Sequence, residues 1–255
     1  MSDGPSRELE QIPVGHYHRV MEGGHPVRRA WHLLKFQRVL DLCDGPPGAL
    51  LDVGCFAGSL LSLAPQDRFP RQLGVDILPE QVAFATQHFG TPYRSFQHLA
   101  SLAELGQLPG GFDHATCVEV IEHLTPAEIR TLFLGVARAL VKGGHFILST
   151  PNYASTWPVL ELLLNRVSDV DYSEQHITKF TFFNLKRKLR DIVPELDQLF
   201  TFELVTTTHW VSPFLAVFGV EAATRVGSAV PHARWWMPFG NLVLFRLRRT
   251  DAPAP

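Results

Sequence analysis

Short apolar runs alternate with helix-like segments over the first 150 residues of the chain. Ala49–Val53 is an apolar run without alternation, which is typical of a strand buried on both faces. The other runs that we predict as strands are 72–76, 114–118 and 145–150. Helices are predicted over 26–43, from Pro79 onward, and over 125–140. Strands that alternate with helices predict parallel βαβ units and a doubly wound α/β sheet.

The C-terminal third has a different pattern. Residues 199–209 and 241–248 are predicted as strands, and a long apolar insertion, 210–239, lies between them. We therefore expect an antiparallel hairpin at one edge of the sheet. Its connection, together with residues 152–180, is expected to form an apolar lid over the sheet.

Composition limits the class of protein. The 255 residues are 45% hydrophobic and 19% charged, which predicts one folded domain at 25–249, a flexible segment at 1–24 and a disordered tail at 250–255. A net charge of −2 gives no electrostatic footprint for nucleic acid. Three cysteines without metal-type spacing, and an N-terminus without an apolar signal stretch, favour the cytoplasm.

The first strand leads into a glycine turn. It ends at Asp52, the chain turns through Gly54 and Gly58 into a helix, and the next strand ends at Asp76. Glycine alone is consistent with a plain tight turn, but an acid ending the next strand typically binds ribose hydroxyls. Phe56, two residues after Gly54, leaves no room for a pyrophosphate. The pattern favours a nucleoside cofactor without phosphates.

Four segments in order resemble the motifs of class I S-adenosylmethionine (SAM)-dependent methyltransferases. These segments are 50–58, 74–76, 112–124 and 138–152. The resemblance covers about residues 25 to 190 and points to the branch containing the ubiquinone-biosynthesis O-methyltransferases. It implies a Rossmann-like fold and SAM as cofactor. Phe56 departs from the family pattern, because the middle position of the first motif is commonly glycine.

The resemblance assigns roles to matching positions. The 54–58 turn is expected to hold the methionine part of SAM, and Asp76 the ribose. His98 and Leu99 are expected to flank the adenine, and Val118 and Glu119 the reacting centre. The complete expected cofactor set is Asp52, Gly54, Cys55, Phe56, Gly58, Asp76, Ile77, His98, Leu99, Val118 and Glu119.

A Glu-x-x-Glu-His cluster follows the third predicted strand. Glu119, Glu122 and His123 would share one face of a helical turn, and His176 adds an imidazole downstream. Such groups suit Mg²⁺ or another divalent ion, and the resemblance includes metal-dependent branches. Alternatively, Glu122 and His123 bond the backbone, cap a helix or shape the pocket, and His123 or His176 acts as general base. We take Glu122, His123 and His176 as the candidate catalytic residues.

Aromatic residues in the lid indicate the acceptor. Trp157, an apolar helix at 159–164 and the 210–218 and 235–239 segments favour a small, apolar or aromatic acceptor, but they are equally consistent with core or a homodimer interface. Trp235 and Trp236, with three arginines, predict peripheral membrane contact. These arginines are Arg246, Arg248 and Arg249.

The N-terminal region is rich in histidine, with His16, Tyr17, His18, His25 and His32, and their spacing fits solvated or pocket-lining positions rather than a metal site. The expected function is O-methylation of a quinone, lipid, glycan or secondary metabolite. Two alternatives stay open. A metal-dependent RNA 2′-O-methyltransferase would share the Glu-Glu-His cluster, and an inactive SAM-binding scaffold is suggested by Phe56.

Overall fold

The computed structural model describes residues 12–159, 176–229 and 238–253. Its seven strands form one sheet in the order β3-β2-β1-β4-β5-β7-β6. The strands are β1 Ala49–Val53, β2 Arg71–Asp76, β3 Arg94–His98, β4 Phe112–Val118, β5 Leu140–Pro151, β6 Phe200–Thr208 and β7 Leu242–Arg249. The first five pair in parallel, and β7 is antiparallel to both β5 and β6. The predicted α/β sheet with a C-terminal antiparallel hairpin is confirmed.

Helices cover both faces of this sheet. They are α1 His16–Gly23, α2 Pro26–Asp41, α3 Ser59–Leu63, α4 Pro79–Phe89, α5 Pro126–Ala139, α6 Leu185–Ile192, α7 Leu196–Leu199 and α8 Val220–Ala229. Short 3₁₀ helices occur at Leu102–Gln107, Ile121–His123 and Ser212–Phe218. The start of α5 is set by a capping box, in which Thr125 and Glu128 satisfy each other's backbone N–H groups. Proline in the first turn of α2, α4 and α5 also favours the start of each helix, because its fixed φ suits that position.

The core has two layers, one on each face of the sheet. Leu51 and Val53 of β1 pack with Phe133 of α5, whereas Leu50 packs with Leu61 of α3 on the opposite face. This alternation follows from the two-residue period of a strand. Because both faces are covered, all five positions of β1 are buried. That burial explains why the strand is an apolar run without alternation.

One missed strand and two predicted domain boundaries need correction. Strand β3 was not predicted from the sequence. Residues 16–23 form α1 with Met21 buried, so 12–24 belongs to the folded domain rather than to a flexible segment. The backbone N–H of Thr250 donates to the Leu199 carbonyl at 2.9 Å, so the domain extends past 249.

Parts of the predicted lid lie outside the described residues. These parts are 160–175 and 230–237, and they include Trp235, Trp236 and nearly all of the predicted helix 159–164. In the portion of the chain that the structure describes, every helix is too short or too polar to cross a bilayer.

The order of the strands in the sheet indicates where a ligand would bind. Strand β1 has β2 on one side and β4 on the other, so the chain reverses its direction of progress across the sheet at β1. Ligands of open α/β sheets bind outside the carboxyl ends of the strands at such a switch point. The ends of β1, β2 and β4 carry Asp52, Asp76 and Val118.

Candidate cofactor and acceptor site

A cavity of about 780 Å³ opens at this switch point. Nine of the eleven predicted cofactor residues line it, namely Asp52, Gly54, Cys55, Phe56, Asp76, Ile77, Leu99, Val118 and Glu119. The other two do not line it, and their contact with a cofactor stays a prediction. Gly58 precedes α3 at φ 78° and packs beneath the Phe96 ring. His98 is exposed, and its imidazole bonds to the Ile77 carbonyl at 3.2 Å.

The glycine turn needs glycine at its first position. Gly54 has φ 74°, and its N–H donates to the Val75 carbonyl at 2.9 Å. A Cβ atom at this position would overlap Val120 Cγ2. The turn therefore brings bare backbone against the cavity, as a tightly held ligand requires.

Asp76 organises the same turn from the neighbouring strand. Its Oδ2 accepts the Phe56 N–H at 2.8 Å, and its Oδ1 accepts the Leu78 N–H at 2.9 Å. Burial raises the pKa of the Asp76 carboxyl, although these backbone hydrogen bonds oppose the shift. The carboxylate is thus fixed in orientation at the cavity wall.

Asp52 is buried deeper at the end of β1. The Thr116 hydroxyl donates to its Oδ1 at 2.7 Å. Burial raises the pKa of Asp52 to about 7, the nearby Asp76 charge adds to the shift, and the Thr116 hydrogen bond partly offsets it. Asp52 is therefore a carboxyl that is partly protonated at neutral pH.

Lys35 of α2 forms an ion pair with Glu119 inside the cavity. Glu119 has φ 54° and precedes the 3₁₀ helix, so the predicted helical turn through Glu119, Glu122 and His123 is wrong. Its N–H bonds to Ser149 instead. Burial opposes ionisation, but the charge and hydrogen bond of Lys35 outweigh it and lower the pKa of Glu119.

Three of the four predicted metal ligands lie together. One ligand atom from each of Glu122, His123 and His176 falls within 4.8 Å of the others. Glu119 is not in this group, since its carboxylate is directed to Lys35. Both carboxylate oxygens of Glu122 are buried, and neither makes a hydrogen bond of good geometry within the described chain, although the Thr150 hydroxyl is near enough to favour the charged form. Burial, and then the Glu119 charge, raise the pKa of Glu122 well above its usual value.

His176 is held in place by Tyr153. The Tyr153 hydroxyl and His176 Nδ1 lie 2.6 Å apart, and the His176 and His123 ring centroids are 5.0 Å apart. Burial lowers the pKa of His176 to about 4, which outweighs attraction from Glu119. His176 is therefore neutral at pH 7, the form that coordinates a metal or accepts a proton.

The two N-terminal helices form a roof over the cavity, which the sequence indicated only in outline. His16, Tyr17 and His32 line the cavity, whereas His18 and His25 do not. Other lining residues from α2 are Val27, Arg28, Trp31, Lys35 and Phe36. Their three- and four-residue spacing places them on one face of α2, a pattern that could have identified them as a group.

One wall of the cavity is aromatic. The rings of Trp31 and Trp157 have centroids 5.8 Å apart, and Phe214 from the 3₁₀ helix Ser212–Phe218 lines the same space. His209 supports the position of Trp31, because its Nε2 lies within hydrogen-bond distance, 2.7 Å, of the Trp31 carbonyl oxygen. The described part of the predicted lid therefore contributes to the cavity.

The arginines predicted to contact a membrane have other partners. Arg246 pairs with Asp44 at 2.7 Å and with Glu203 at 2.9 Å. Arg249 is buried and donates to the Ala137 carbonyl at 2.8 Å. Two of the three arginines therefore have partners within the protein, and membrane contact stays a prediction.

Comparisons with known proteins agree with this geometry. A family model described as a methyltransferase domain matches residues 26–192. A ubiquinone biosynthesis O-methyltransferase of Dechloromonas aromatica is 36% identical over 106 residues, which are 40% of this chain and 44% of that protein. Its namesake in Leptothrix cholodnii is 32% identical over 133 residues, 50% of this chain and 52% of that one. The chain thus spans about half the length of these curated relatives.

One solved structure shows the shared fold. Magnesium protoporphyrin IX methyltransferase from Synechocystis PCC 6803, with bound S-adenosylhomocysteine (SAH), superposes with a TM-score of 0.57 at 17% identity. The match covers 92% of this chain and 93% of that one. Together with the family model, which spans well over half of the residues, it confirms the resemblance drawn from the motifs: the chain belongs to the methyltransferase-domain family.

Proposed function

We propose that the protein is a SAM-dependent O-methyltransferase of a small, apolar or aromatic acceptor. The observation that carries this proposal is the continuity of one cavity. Its lining includes the Gly54 turn and the Asp76 carboxylate, and also the aromatic residues Trp31, Trp157 and Phe214. A methyl donor and a ring-bearing acceptor would therefore meet without crossing solvent.

The cofactor half of the cavity offers complementary groups for SAM. The Asp76 carboxylate accepts hydrogen bonds and suits the two ribose hydroxyls. Lys35 and Glu119 complement the carboxylate and ammonium groups of a methionine moiety, so their mutual ion pair would be exchanged for two pairs with the ligand. Leu99 offers an apolar surface to the adenine.

Catalysis in this site would depend mainly on positioning. When bound, SAM supplies a methyl group that is already activated on a sulfonium. The aromatic wall of Trp31 and Trp157 orients the acceptor so that its oxygen attacks the methyl carbon. The new O–C bond forms as the S–C bond breaks, the sulfur keeps the electron pair, and the acceptor's hydroxyl proton must be taken up.

We assign proton uptake to Glu122, His123 and His176 acting as one unit. Each lines the cavity, and their ligand atoms are close enough for their titrations to be coupled. Glu122 is a stronger base than an ordinary carboxylate, because burial raises its pKa. Tyr153 fixes the orientation of the His176 ring.

The same three residues fit a divalent ion. The unmatched, buried carboxylate of Glu122 needs a cation or a proton, and two imidazoles stand within ligand distance of it. One carboxylate with two imidazoles suits Mn²⁺ or Zn²⁺ better than Mg²⁺, which prefers oxygen. Such an ion would lower the pKa of an acceptor hydroxyl.

The test is methyl transfer from SAM carrying a trideuterated methyl group. The acceptor panel contains phenols, catechols, aliphatic alcohols, anilines and a short RNA, and mass spectrometry locates the label. The proposal predicts label on the oxygen of an aromatic acceptor. Label on nitrogen, or on RNA alone, would contradict it.

A further inference from the structure

Phe56 accepts an unusual backbone conformation inside the cofactor turn. Its φ is 47°, in the left-handed region that non-glycine residues rarely occupy. The family pattern has glycine at this position, where such a backbone is unstrained. A phenylalanine at this position therefore carries a conformational cost.

The ring of Phe56 contacts the roof. Its centroid lies 5.2 Å from that of Tyr17 in α1, and the planes are tilted by 55°. Tyr17 in turn lies 5.3 Å from the His32 ring of α2. All three side chains line the cavity and are partly buried. The cofactor turn is thus joined by rings to both N-terminal helices.

The rest of α1 is anchored away from the turn. The Gly15 N–H donates to Gln81 Oε1 at 3.1 Å, and Gln81 Nε2 donates to the Ile12 carbonyl at 3.3 Å. Arg29 of α2 donates to the Met21 carbonyl at 3.0 Å. Helix α1 is therefore attached to α4 at its start and to α2 at its end. Tyr17, between these anchors, reaches down to the turn.

We propose that Phe56 and Tyr17 form a clasp that closes the roof over the bound cofactor and sets the rate at which the demethylated product, SAH, leaves. The clasp rests on the proposed SAM-binding function. Because both rings line the cavity, a ligand bound at the turn lies beside them, and movement of α1 away from the turn would separate them. Both are positioning residues, since they act through the helix they hold and not on the transferred methyl group.

The test measures dissociation of labelled SAH, chased with excess unlabelled SAH. The contact between two aromatic rings changes an equilibrium constant by roughly 2- to 12-fold. If that contact must break before SAH leaves, Tyr17→Leu is expected to release SAH about 3- to 10-fold faster than the wild type. Tyr17→Phe keeps the ring and should retain the wild-type rate. Phe56→Leu, which keeps the strained backbone but removes the ring, should match Tyr17→Leu.

A double variant and a distant control complete the design. Tyr17→Leu with Phe56→Leu should release SAH no faster than either single variant, because all three lack the same contact. Phe183→Leu removes a ring that lies 6.0 Å from Phe239 and does not line the cavity, and should leave the rate unchanged. Thermal unfolding shows whether each variant is folded. If Tyr17→Leu does not fold, the rate of SAH release from Phe56→Leu tests the clasp instead.

Three outcomes would overturn the clasp. Folded Tyr17→Leu and Phe56→Leu proteins that release SAH within twofold of wild type would do so. A double variant whose effect is the product of the single effects would mean that the rings act separately. Failure of the wild-type protein to bind SAH would remove the proposed function as well, whereas binding with unchanged rates removes the clasp alone.

Discussion

The Asp76 carboxylate, at the end of β2, accepts a hydrogen bond of 2.8 Å from the backbone N–H of Phe56, in the turn that follows β1. The acid predicted to bind the ribose therefore also fixes the shape of the glycine turn. Its second oxygen accepts the Leu78 N–H. One side chain thus connects both loops of the cofactor half, and the stability of this half and its ligand affinity are expected to change together.

Replacement of Gly54 by alanine tests the close packing of the turn. Gly54→Ala adds a Cβ that overlaps Val120 at a positive φ, so we expect the free energy of unfolding to fall by about 2–4 kcal/mol. Gly219→Ala is the matched control, because it also has a positive φ, of 137°, but no atom within 4 Å. Urea unfolding should show a smaller loss for the control, and equal losses would contradict the packing argument.

Lys35 is predicted to matter for both stability and ligand binding. Lys35→Met leaves the half-buried Glu119 without its partner, which should cost roughly 1–3 kcal/mol of stability. Loss of a charge-assisted hydrogen bond to the methionine carboxylate should weaken SAH binding about 10- to 100-fold. Calorimetric titration measures the second effect.

Two further variants test the same ion pair. Adding Glu119→Gln to Lys35→Met should recover stability but not affinity, since it removes the unpaired charge and not the missing donor. Lys188→Met removes a lysine that does not line the cavity and donates to the Lys179 carbonyl, and it is the control for the loss of one positive charge. Unchanged SAH affinity in Lys35→Met would mean that other groups hold the methionine carboxylate.

Asp52 is predicted to make stability depend on pH. Burial raises the pKa of the Asp52 carboxyl to about 7 in the folded protein, so its favourable contribution to stability is fully present below its ordinary pKa and is lost as the pH rises through 7. Asp52→Asn should therefore become progressively more stable than wild type between pH 4.5 and 8, by at most about 4 kcal/mol. Urea unfolding at four pH values measures this difference, and a constant difference would contradict the assignment.

The three-residue cluster is predicted to bind Mn²⁺. At ten times its dissociation constant the ion should add about 1.4 kcal/mol to the free energy of unfolding. Glu122→Gln should abolish this gain. Glu195→Gln, which removes the charge of the ion-pair partner of Arg130 outside the cluster, should leave the gain unchanged. Wild-type protein that shows no Mn²⁺-dependent stabilisation and keeps full activity in excess chelator would rule out the metal.

Local hydrophobic patterns predicted most strands of the sheet but not the edge strand β3. Strand β1 is buried on both faces, so its apolar run is distinctive. Strand β3, at the edge beside β2, is mostly exposed, and its sequence Arg94–His98 has no apolar run. Its pairing with β2 comes from backbone hydrogen bonds and tertiary context, which periodicity does not report.

The motifs identified most residues that line the cavity at the glycine turn, but few of those beneath the roof. Gly54 and Asp76 lie in short motifs whose residue types follow from the turn and the ribose. Lys35 and Glu119 are 84 positions apart, and their meeting depends on how α2 packs over the sheet. The left-handed backbone of Glu119 likewise depends on its surroundings, so its separation from Glu122 and His123 could not be predicted from spacing alone.

Calorimetric titration of SAH into the wild-type protein and into Asp76→Ala tests the central claim most directly. The account predicts one SAH per chain for the wild type. It predicts affinity at least 10-fold weaker for Asp76→Ala, because both the ribose hydrogen bonds and the fixed turn are lost. Absence of wild-type binding, or equal affinity in the two proteins, would contradict the placement of the cofactor at the carboxyl ends of β1 and β2.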